Sequence, residues 1–380
     1  MARLVVVGGG PAAHAAAGGA REAGWREEIL VLAGEPEPPY DRTLLSKGYL
    51  LEDLPRARLA LPPADATVRL DATVGSLDTA AHQVRLAGGE RIGYDRLLLA
   101  TGARPRVLPG YGDSLYLRQV TDADRLRARL AGGRPLEIVG AGFVGCEVAA
   151  AGRARGLPVT VHEALAQPLL RVLGPQLGAL VAALHRSHGV DLRTGAGHLP
   201  EPGRDLVVAA GSRPNQELAE AAGIHCESGV VVDEFGRTSA EDVYAAGDCA
   251  RFWSPALGSR IRVEHFQTAQ RHGRSVGHNL AAPGDVQPFT EWPWFWTDQY
   301  GEQLQYLGAG LPWDDLRFRG DPGAPPFTAF QVREGRVVGV LCWNDGRTMT
   351  RVRRILERGI AATPDQLRDP ATDLRALARG

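Results

Sequence analysis

Short runs of aliphatic residues alternate along the chain with longer alanine-rich stretches. RLVVV at 3–7 runs into GGGPAAHAAAGGAREAG, and the apolar run EILVLAG follows at 28–34. LEIV at 136–139, AGFVGCEVAAAGRA and VTVHE at 159–163 repeat the same order. Runs that are apolar throughout are typical of parallel strands buried on both faces, with helices crossing between them. The pattern predicts an α/β fold with two Rossmann-like dinucleotide-binding domains, each of three layers.

The first apolar run ends in a glycine turn of the type G-x-G-x-x-A, formed by Gly8, Gly10 and Ala13. In such a turn the first glycine permits the tight bend, and the second lets a pyrophosphate approach the backbone. The small third residue lets helix and strand pack closely. Pro11 suits the first turn of a helix, whose N-terminus attracts an anion. Glu35 follows the second apolar run, where a carboxylate accepts hydrogen bonds from ribose hydroxyls, so these residues predict one dinucleotide site.

A second glycine turn, G-x-G-x-x-G, lies at Gly140, Gly142 and Gly145, and Glu163 ends the strand pattern that follows it. One such motif is a weak signal, and a glycine-rich turn without a ligand is the alternative for each copy. Both copies have a strand before, a helix after and an acid at the expected distance, so we interpret both as nucleotide sites. Glu163 pairs with a free 2′-hydroxyl and repels a 2′-phosphate, and no arginine follows it before Arg171. The second site is therefore expected to prefer NAD to NADP.

Three further apolar runs complete the pattern. DRLLLATGARP at 95–105 and DLVVAAGSRPN at 205–215 each combine a buried strand with a turn of small residues. Each is expected to close one nucleotide domain. TSAEDVYAAGDCARF at 238–252 predicts another buried strand that ends at Asp248, where small neighbours allow a ligand to approach the backbone closely.

Composition narrows the functional classes. The chain has 380 residues, a net charge of -1 and a sequence pI of about 6.8, so nothing indicates nucleic acid or an anionic membrane as a partner. It has neither a membrane-spanning apolar stretch nor a signal-peptide pattern, so a cytoplasmic protein of about two or three domains is expected. The four cysteines are far apart, and His185 and His188 share a helix face but have no partners nearby in sequence. No metal site is predicted.

Lys47, in PYDRTLLSKGYL, is the single lysine of the chain beside 42 arginines. An ammonium is a compact point charge, whereas a guanidinium is a wide planar fork, so the two are not interchangeable at a crowded site. A chance position in an exposed loop is the alternative reading of Lys47. No cysteine occurs between residues 1 and 145, so this region lacks the thiolate that direct disulfide chemistry requires.

Together these segments resemble the two-dinucleotide flavoprotein reductases, and within them the ferredoxin, putidaredoxin and rubredoxin reductases that serve bacterial oxygenases. The resemblance is carried by GGGPAA, PYDRTLLSK, ATGARP, YLRQVTDADRL, GAGFVGCEVAA, GSRPN, TSAEDVYAAGDCARF, RVEHFQTAQRHG and PWFWTDQYGEQLQYLG, in the family's order over almost the whole chain. It implies FAD and NAD(H) as cofactors. The implied layout is an FAD-binding domain at 1–107 and 230–288, an NAD-binding domain at 108–229 and an α+β C-terminal interface domain at 289–380.

The resemblance also implies roles for individual residues. Lys47 matches a lysine beside the flavin N5 edge that pairs with the glutamate of the second glycine motif, here Glu147, and these two are the expected catalytic residues. Near N5 and O4 the ammonium would stabilise negative charge on the reduced ring, while Glu147 offsets the cost of burying it. The other matched positions are Arg42, Val74, Ala100, Arg118, Asp248, Phe266 and Trp296 for FAD, and Gly211 and Glu264 for NAD. For the apolar members Val74, Ala100 and Phe266, ordinary core packing is the alternative.

Two departures accompany the resemblance. TLLSK stands where the family usually reads P-P-L-S-K, and only GAGHLPEPGRD joins Gly195 to the next strand, where relatives have a longer crossover.

The function implied is an NADH-dependent reductase, a monomer or weak dimer, that passes electrons through FAD to a small iron–sulfur protein of the ferredoxin type. Two alternatives stay open, because fold alone does not separate them. One is an NADH oxidase that uses oxygen, and the other is a redox-sensing binding protein resembling apoptosis-inducing factor.

A basic stripe near the C-terminus suggests where such a carrier would bind. Arg347, Arg351, Arg354 and Arg358 recur at helical spacing in GRTMTRVRRILERG, with Glu357 as its single acid. Iron–sulfur carriers of this type are commonly acidic, so the stripe is a hypothetical docking face. A solvated helix face in an arginine-rich protein is the alternative.

Overall fold

The computed structural model describes residues 2–52, 54–195, 199–203 and 205–379. Its strands, numbered in chain order, are β1 (Arg3–Val7), β2 (Glu28–Leu32), β3 (Thr67–Arg69), β4 (Val74–Asp78), β5 (Gln83–Leu86), β6 (Arg91–Gly93), β7 (Arg96–Leu99), β8 (Ala103–Pro105), β9 (Leu136–Val139), β10 (Val159–Glu163), β11 (Val190–Thr194), β12 (Val207–Val208), β13 (Ser212–Pro214), β14 (Val230–Val232), β15 (Val243–Ala245), β16 (Ala250–Ser254), β17 (Ser259–Ile261), β18 (Trp294–Gln299), β19 (Glu302–Gly308), β20 (Asp315–Arg319), β21 (Phe327–Arg333) and β22 (Arg336–Trp343). Its α-helices are α1 (Pro11–Glu22), α2 (Gly48–Leu51), α3 (Val120–Ala131), α4 (Phe143–Ala154), α5 (Leu170–Ser187), α6 (Glu217–Ala221), α7 (Phe266–Ala281), α8 (Gly346–Glu357), α9 (Pro364–Arg368) and α10 (Leu374–Leu377). Short 3-10 helices lie at Arg42–Ser46, Arg56–Leu59 and Gly247–Cys249.

The chain divides into two compact units. The first consists of Met1–Asp41, Ala57–Arg104 and Arg213–Pro293, and the second of Arg42–Arg56, Pro105–Ser212 and Trp294–Gly380. The domain limits predicted from the sequence are finer than this division, and they stay a prediction.

The first unit is built on a parallel sheet in the order β15-β7-β1-β2-β3. Leu4, Val5 and Val6 of β1 are fully buried, as expected for a central strand that is covered on both faces. All of these strands run in one direction, so the turns after β1, β2, β7 and β15 lie along one edge of the sheet. Two smaller sheets, in the orders β4-β5-β6 and β14-β16-β17, also belong to the unit.

Small residues bring the backbones of α1 and α7 into contact. A Cβ added at Gly273 would lie 2.2 Å from the carbonyl oxygen of Ala12, and one added at Gly277 would lie 2.1 Å from that of Ala16. Both distances are far inside van der Waals contact, so a larger side chain at either glycine would force the helices apart. The two helices and the inner faces of β1 and β2 form the core of the unit.

The second unit contains a four-stranded parallel sheet in the order β11-β10-β9-β12. Helix α4 connects β9 to β10 and α5 connects β10 to β11, which is the alternation that the sequence predicts. The parallel α/β fold class is confirmed for both units. Part of the short connection after Gly195 (residues 196–198 and 204) lies outside the described residues.

The second unit also contains an antiparallel sheet in the order β18-β19-β22-β21-β20, with α8 packed against it. This confirms the predicted α+β character of the C-terminal region. The helix predicted for the arginine-rich stretch is confirmed as well, and Asp345 caps it by accepting a hydrogen bond from the Thr348 N–H at 3.2 Å. Side chains of both sheets, such as Ile138 and Phe295, belong to one hydrophobic core.

Two kinds of feature do not occur in the described part of the chain. None of its helices combines the length and apolar character needed to cross a bilayer. Nor do its His, Cys, Asp and Glu residues gather in threes or more in a way that would hold a metal ion.

Candidate functional site

The first glycine turn lies between β1 and α1, at the carboxyl edge of the parallel sheet of the first unit. Gly8 has a φ of +127°, and a Cβ there would lie 2.1 Å from the carbonyl oxygen of Ala100, so only glycine fits. Gly10 is the N-cap of α1, no side chain caps the helix, and Pro11 occupies its first turn. A Cβ added at Gly10 would meet no atom within 4 Å. The N–H groups of this helix end remain accessible to a phosphate, so the turn fits the diphosphate of a dinucleotide.

Other residues predicted for FAD lie near this turn. Ala13 and Ala100 are buried. Glu35 follows β2 and accepts a hydrogen bond from the Tyr40 hydroxyl at 2.7 Å. Val74 begins β4 and is half-buried. The carboxyl edge of the sheet thus gathers the glycine turn, Glu35 and Ala100, as the order of the strands requires.

Asp248 does not end a strand, and the prediction that it does was wrong. Strand β15 ends at Ala245, and Asp248 lies in the 3-10 turn Gly247–Cys249. Gly247 has a φ of +77°, and a Cβ there would lie 2.7 Å from the Cβ of Ala12. The chain therefore turns at Gly247 and packs on the first turn of α1, which keeps Asp248 beside the first glycine turn.

Phe266 and Glu264 lie at the start of α7 in the first unit. Phe266 is the first residue of the helix and is half-buried. Glu264 is exposed and forms an ion pair with Arg262, whose guanidinium also donates to the Asp248 carbonyl at 3.3 Å. The assignment of Phe266 to FAD and of Glu264 to NAD stays a prediction.

The second glycine turn lies between β9 and α4 and repeats the geometry of the first. Gly140 has a φ of +102°, and a Cβ there would lie 2.4 Å from the carbonyl oxygen of Ala209. A Cβ at Gly145 would lie 2.0 Å from the carbonyl oxygen of Gly140, so the helix packs directly on the turn. Gly142 is the N-cap of α4, and no side chain caps this helix either. This turn, too, fits a dinucleotide diphosphate.

Glu163 ends β10, as predicted, and its carboxylate binds the second glycine turn. One oxygen accepts the N–H of Ala141 at 2.6 Å, and the other accepts the N–H of Leu165 at 2.8 Å. Each carboxylate oxygen has a further lone pair for a ribose hydroxyl. The side chain is half-buried beside the turn, so its negative charge would oppose a 2′-phosphate.

The structure brings together the two arginines predicted for FAD. Arg42 Nη1 donates to the carbonyl oxygen of Arg118 at 3.0 Å, and Arg118 precedes α3. Gly211, predicted for NAD, is exposed with a φ of +91° and accepts the N–H of Arg106 at 2.9 Å. The assignment of Gly211 to NAD stays a prediction.

Lys47 and Glu147 form a buried ion pair in the second unit, with 2.8 Å between Nζ and Oε1. The Glu147 side chain is 4% exposed and that of Lys47 is 16% exposed. Two hydroxyls also donate to the carboxylate: Ser46 to Oε2, and Thr297 to Oε1 at 2.6 Å. Burying two charges is costly unless further hydrogen bonds satisfy them, and here the hydroxyls do so.

Matching spacings of helix and strand assemble this cluster. Phe143 and Glu147 lie four residues apart on one face of α4, and Phe295 and Thr297 lie two residues apart on one face of β18. The rings of Phe143 and Phe295 pack edge to face with centroids 4.4 Å apart. This contact sets the register in which the Glu147 carboxylate meets the Thr297 hydroxyl.

Two tryptophans continue from Lys47 toward α8 within the second unit. The Lys47 ammonium lies 5.9 Å from the centroid of the Trp296 ring, and Trp294 stacks on Trp296 at 5.4 Å. Arg353 of α8 lies 5.9 Å from the centroid of the Trp294 ring. Trp296, predicted for FAD from the resemblance, is thus adjacent to the lysine.

The cysteines are unsuited to thiolate chemistry. Cys146, Cys249 and Cys342 are buried and Cys226 is half-buried, and none of the four forms a disulfide. Burial raises the pKa of Cys226 to about 11 and that of Cys342 to about 12, so both remain protonated at neutral pH. Burial also raises the thiol pKa values of Cys146 and Cys249.

Sequence reasoning missed the hydrogen-bond roles of four polar residues at or beyond the Glu147 carboxylate. Ser46 and Thr297 contact the carboxylate, and Gln299 and His185 lie next in line. His185 gains its partners only in the tertiary fold, since Gln299 and Tyr300, both remote in sequence, bond to its ring. A signal was available for two of them: Thr297 and Gln299 are polar residues at the inward positions of an alternating strand, where apolar side chains are usual.

Comparison with known proteins identifies similar chains over the full length. A family model described as Pyridine nucleotide-disulphide oxidoreductase matches residues 2–198 and 202–273, and one described as Reductase C-terminal matches residues 294–378. The ferredoxin–NAD(+) reductase component of the anthranilate 1,2-dioxygenase system of Burkholderia cepacia is 36% identical over 402 residues, covering 98% of each chain. Rhodocoxin reductase of Rhodococcus erythropolis is 35% identical over 405 residues, covering 99% of this chain and 94% of that protein.

A solved structure with the same fold contains a bound partner. The crystal structure of the covalent putidaredoxin reductase–putidaredoxin complex matches with a TM-score of 0.93 and 30% identity. The match covers 100% of this chain and 98% of that one.

Proposed function

The chain belongs to the pyridine nucleotide-disulphide oxidoreductase family, and on this premise we propose that it is an NADH-dependent reductase that passes electrons through FAD to a small iron–sulfur protein. The observation that carries the proposal is the buried ion pair of Lys47 and Glu147. Lys47 lies in a stretch without cysteine, residues 1–145, and burial keeps the thiols of the chain protonated, including that of Cys146 next to Glu147, so an electron route through a disulfide is not supported. Relatives that match over nearly the whole chain are ferredoxin reductases.

The cofactors of this family are FAD and NAD(H), and the two glycine turns fit one dinucleotide each. When bound, FAD accepts two electrons together from NADH and releases them singly, as an iron–sulfur acceptor requires. Gly8 and Gly10 would hold the FAD diphosphate against the N-terminus of α1, and Glu35 would bind its ribose. Gly140 and Glu163 would do the same for NADH at α4.

Lys47 would supply a fixed positive charge to the flavin edge. A cation held in a poorly solvated site stabilises developing negative charge far more than one in water, because it need not reorient. Glu147 holds the ammonium in one position, and Ser46 and Thr297 hold Glu147. A rotation of the Glu147 carboxylate would break all of these bonds at once. Several bonds therefore hold the Lys47 ammonium in a single position.

A ferredoxin-dependent assay tests the proposed function. Reduction of cytochrome c by NADH should be slow with the reductase alone and should rise with added [2Fe–2S] ferredoxin, because the carrier relays single electrons. Oxygen consumption should stay low in both cases. Rapid oxygen consumption without ferredoxin would support an NADH oxidase instead, and slow turnover with every acceptor would support a redox-sensing binding protein.

The choice between NADH and NADPH is expected to depend on Glu163. The change Glu163→Gln removes the negative charge but keeps the size, so kcat/KM with NADPH should rise about tenfold, the equivalent of one charge contact. The kcat/KM value with NADH should fall, but by less than the value with NADPH rises. Steady-state kinetics with both cofactors measures the ratio of kcat/KM with NADPH to kcat/KM with NADH.

The matched control for this prediction is Glu137→Gln. Glu137 is an exposed glutamate of β9, the neighbouring strand of the same sheet. Its replacement should leave the ratio of NADPH to NADH kcat/KM values unchanged. A parent protein that prefers NADPH would mean that Glu163 does not select the cofactor.

We also infer a cytoplasmic location from the cysteines. All four thiols are free, which suits a reducing compartment. The assembly state predicted from the sequence, a monomer or weak dimer, stays a prediction.

A further inference from the structure

A chain of hydrogen bonds continues from Glu147 beyond Thr297, through side chains to which the proposed function assigns no role. Thr297 Oγ1 donates to Glu147, and Gln299 Nε2 lies 3.2 Å from Thr297 Oγ1. Gln299 Oε1 lies 2.9 Å from His185 Nε2, and His185 Nδ1 lies 2.9 Å from the Tyr300 hydroxyl. Thr297, Gln299 and His185 are each 1% exposed, so water does not substitute for any of these bonds.

The carboxylate at one end determines the direction of every bond in this chain. An ionised Glu147 can only accept, so Thr297 donates to it and in turn accepts from the amide nitrogen of Gln299. The amide oxygen of Gln299 therefore faces His185, and His185 must carry its proton on Nε2. Nδ1 of His185 is then the acceptor for the Tyr300 hydroxyl. All of the donors point toward Glu147.

The protonation states of His185 and Tyr300 agree with this direction. Burial lowers the pKa of His185 to about 4, so at neutral pH the ring has one proton to place. Burial raises the pKa of Tyr300, so its hydroxyl keeps the proton that it donates. A charged histidine would have no acceptor nitrogen, so the Tyr300 hydroxyl could not donate to it and the chain would end at His185.

Tyr300 occupies a strained backbone position, which its hydrogen bond to His185 and its ring contact with His188 explain. It lies in the turn between β18 and β19 with a φ of +58°, followed by Gly301 at +82°. Turns with two such residues favour Asn and Gly, and a bulky aromatic residue there is uncommon. Its ring stacks on the exposed ring of His188 with centroids 4.0 Å apart, which covers the outer end of the chain.

We propose that Thr297, Gln299, His185 and Tyr300 form a one-directional hydrogen-bond relay that holds the Glu147 carboxylate, and through it the Lys47 ammonium, in place. These four are positioning residues, since they act on Lys47 through the Glu147 carboxylate. The role in catalysis rests on the proposed function of Lys47. The relay itself does not, because its direction follows from the charge of Glu147.

The tautomer of His185 shows directly in which direction the hydrogen bonds of the relay run. In holoprotein labelled with ¹⁵N-histidine, NMR should show His185 as a single neutral tautomer with its proton on Nε2, the signal being identified by its loss in His185→Asn. In Thr297→Val the Gln299 amide is free to rotate, so both tautomers should appear. Reduction of the flavin by NADH, followed by stopped-flow absorbance, should slow about fivefold, as for the loss of one hydrogen bond. Thr297→Ser should restore both readouts.

Thr328→Val is the matched control. Thr328 is a fully buried threonine of the same antiparallel sheet whose hydroxyl also donates to a carboxylate, that of Asp345 at 3.1 Å. It should leave the His185 signal and the rate of flavin reduction unchanged. If Thr297→Val fails to fold, Gln299→Met interrupts the relay at the next residue, and the same mixture of tautomers is expected.

Three results would overturn the relay: an Nδ1–H tautomer in the parent, an unchanged single tautomer in the Thr297 and Gln299 variants, or equal disturbance by Thr328→Val. A protein that fails to reduce ferredoxin yet shows these tautomer changes would contradict the proposed function alone.

Discussion

Replacing Lys47 with methionine should slow the reduction of bound flavin by NADH about a hundredfold, the usual effect of removing one preorganised electrostatic group. Methionine is unbranched and only one atom shorter than lysine, so the change removes the charge with little loss of side-chain volume. The flavin midpoint potential should also move to a more negative value, because a nearby cation favours the reduced ring. Stopped-flow absorbance and a redox titration measure the two effects.

The same variant should also be less stable, and a double variant separates this effect from catalysis. Without Lys47, the buried Glu147 charge keeps the hydroxyls of Ser46 and Thr297 but loses its ion pair, and breaking a buried ion pair typically costs about 3 kcal/mol. Adding Glu147→Gln removes the unpaired charge, so Lys47→Met with Glu147→Gln should recover most of the stability while flavin reduction stays slow. If the double variant recovered the rate as well, the slow reduction would be a consequence of instability, and Lys47 would have no direct role.

Charge reversal on α8 should lower ferredoxin-dependent turnover about tenfold at low salt. The sequence suggests Arg347, Arg351, Arg354 and Arg358 as a docking stripe, and the structure selects among them. Arg347 and Arg354 are exposed, whereas Arg351 is half-buried. Backbone N–H groups lower the pKa of Asp373, the N-cap of α10, and the charge of Arg351 adds to this effect, so a change at Arg351 would alter an interaction within the chain as well as the surface charge. Arg347→Glu with Arg354→Glu is the cleaner variant.

We expect turnover to fall because the charge reversal removes the long-range attraction between α8 and the carrier. The salt dependence of turnover tests this cause. Attraction between an acidic carrier and α8 is screened beyond about 8 Å at physiological ionic strength, so the difference from the parent should shrink as salt rises. Ferricyanide reduction needs no docked protein and should be unaffected. Arg26→Glu with Arg91→Glu, two exposed arginines of the first unit, changes the net charge equally and serves as the control. Equal losses in both double variants, or with both acceptors, would contradict docking at α8.

Features with a local steric or periodic cause could be predicted from the sequence. Gly8 and Gly140 are required by positive φ angles and by carbonyl oxygens that leave no room for a Cβ, and this requirement is written in the spacing of the motif. The strand–helix alternation and α8 follow from hydrophobic periodicity in the same way. Asp248 was misplaced because an apolar run looks the same whether it continues as a strand or turns. What turns it at Gly247 is contact with Ala12, which is remote in sequence.

By itself, the sequence determined the α/β class, the two glycine turns with their acids, the absence of cysteine around Lys47, and the helical form of the arginine stripe. Each of these depends on residues close together along the chain. Only the tertiary structure decided which hydroxyls hold Glu147, that His185 bonds to Gln299 and Tyr300, and which arginines of α8 are free to meet a partner. The partners in these contacts come from α4, α5, β18 and the segment around Lys47, and no local pattern specifies the register in which such distant elements pack. Contacts such as that of Phe143 with Phe295 set this register. The register brings the polar residues of these elements within hydrogen-bonding distance of one another.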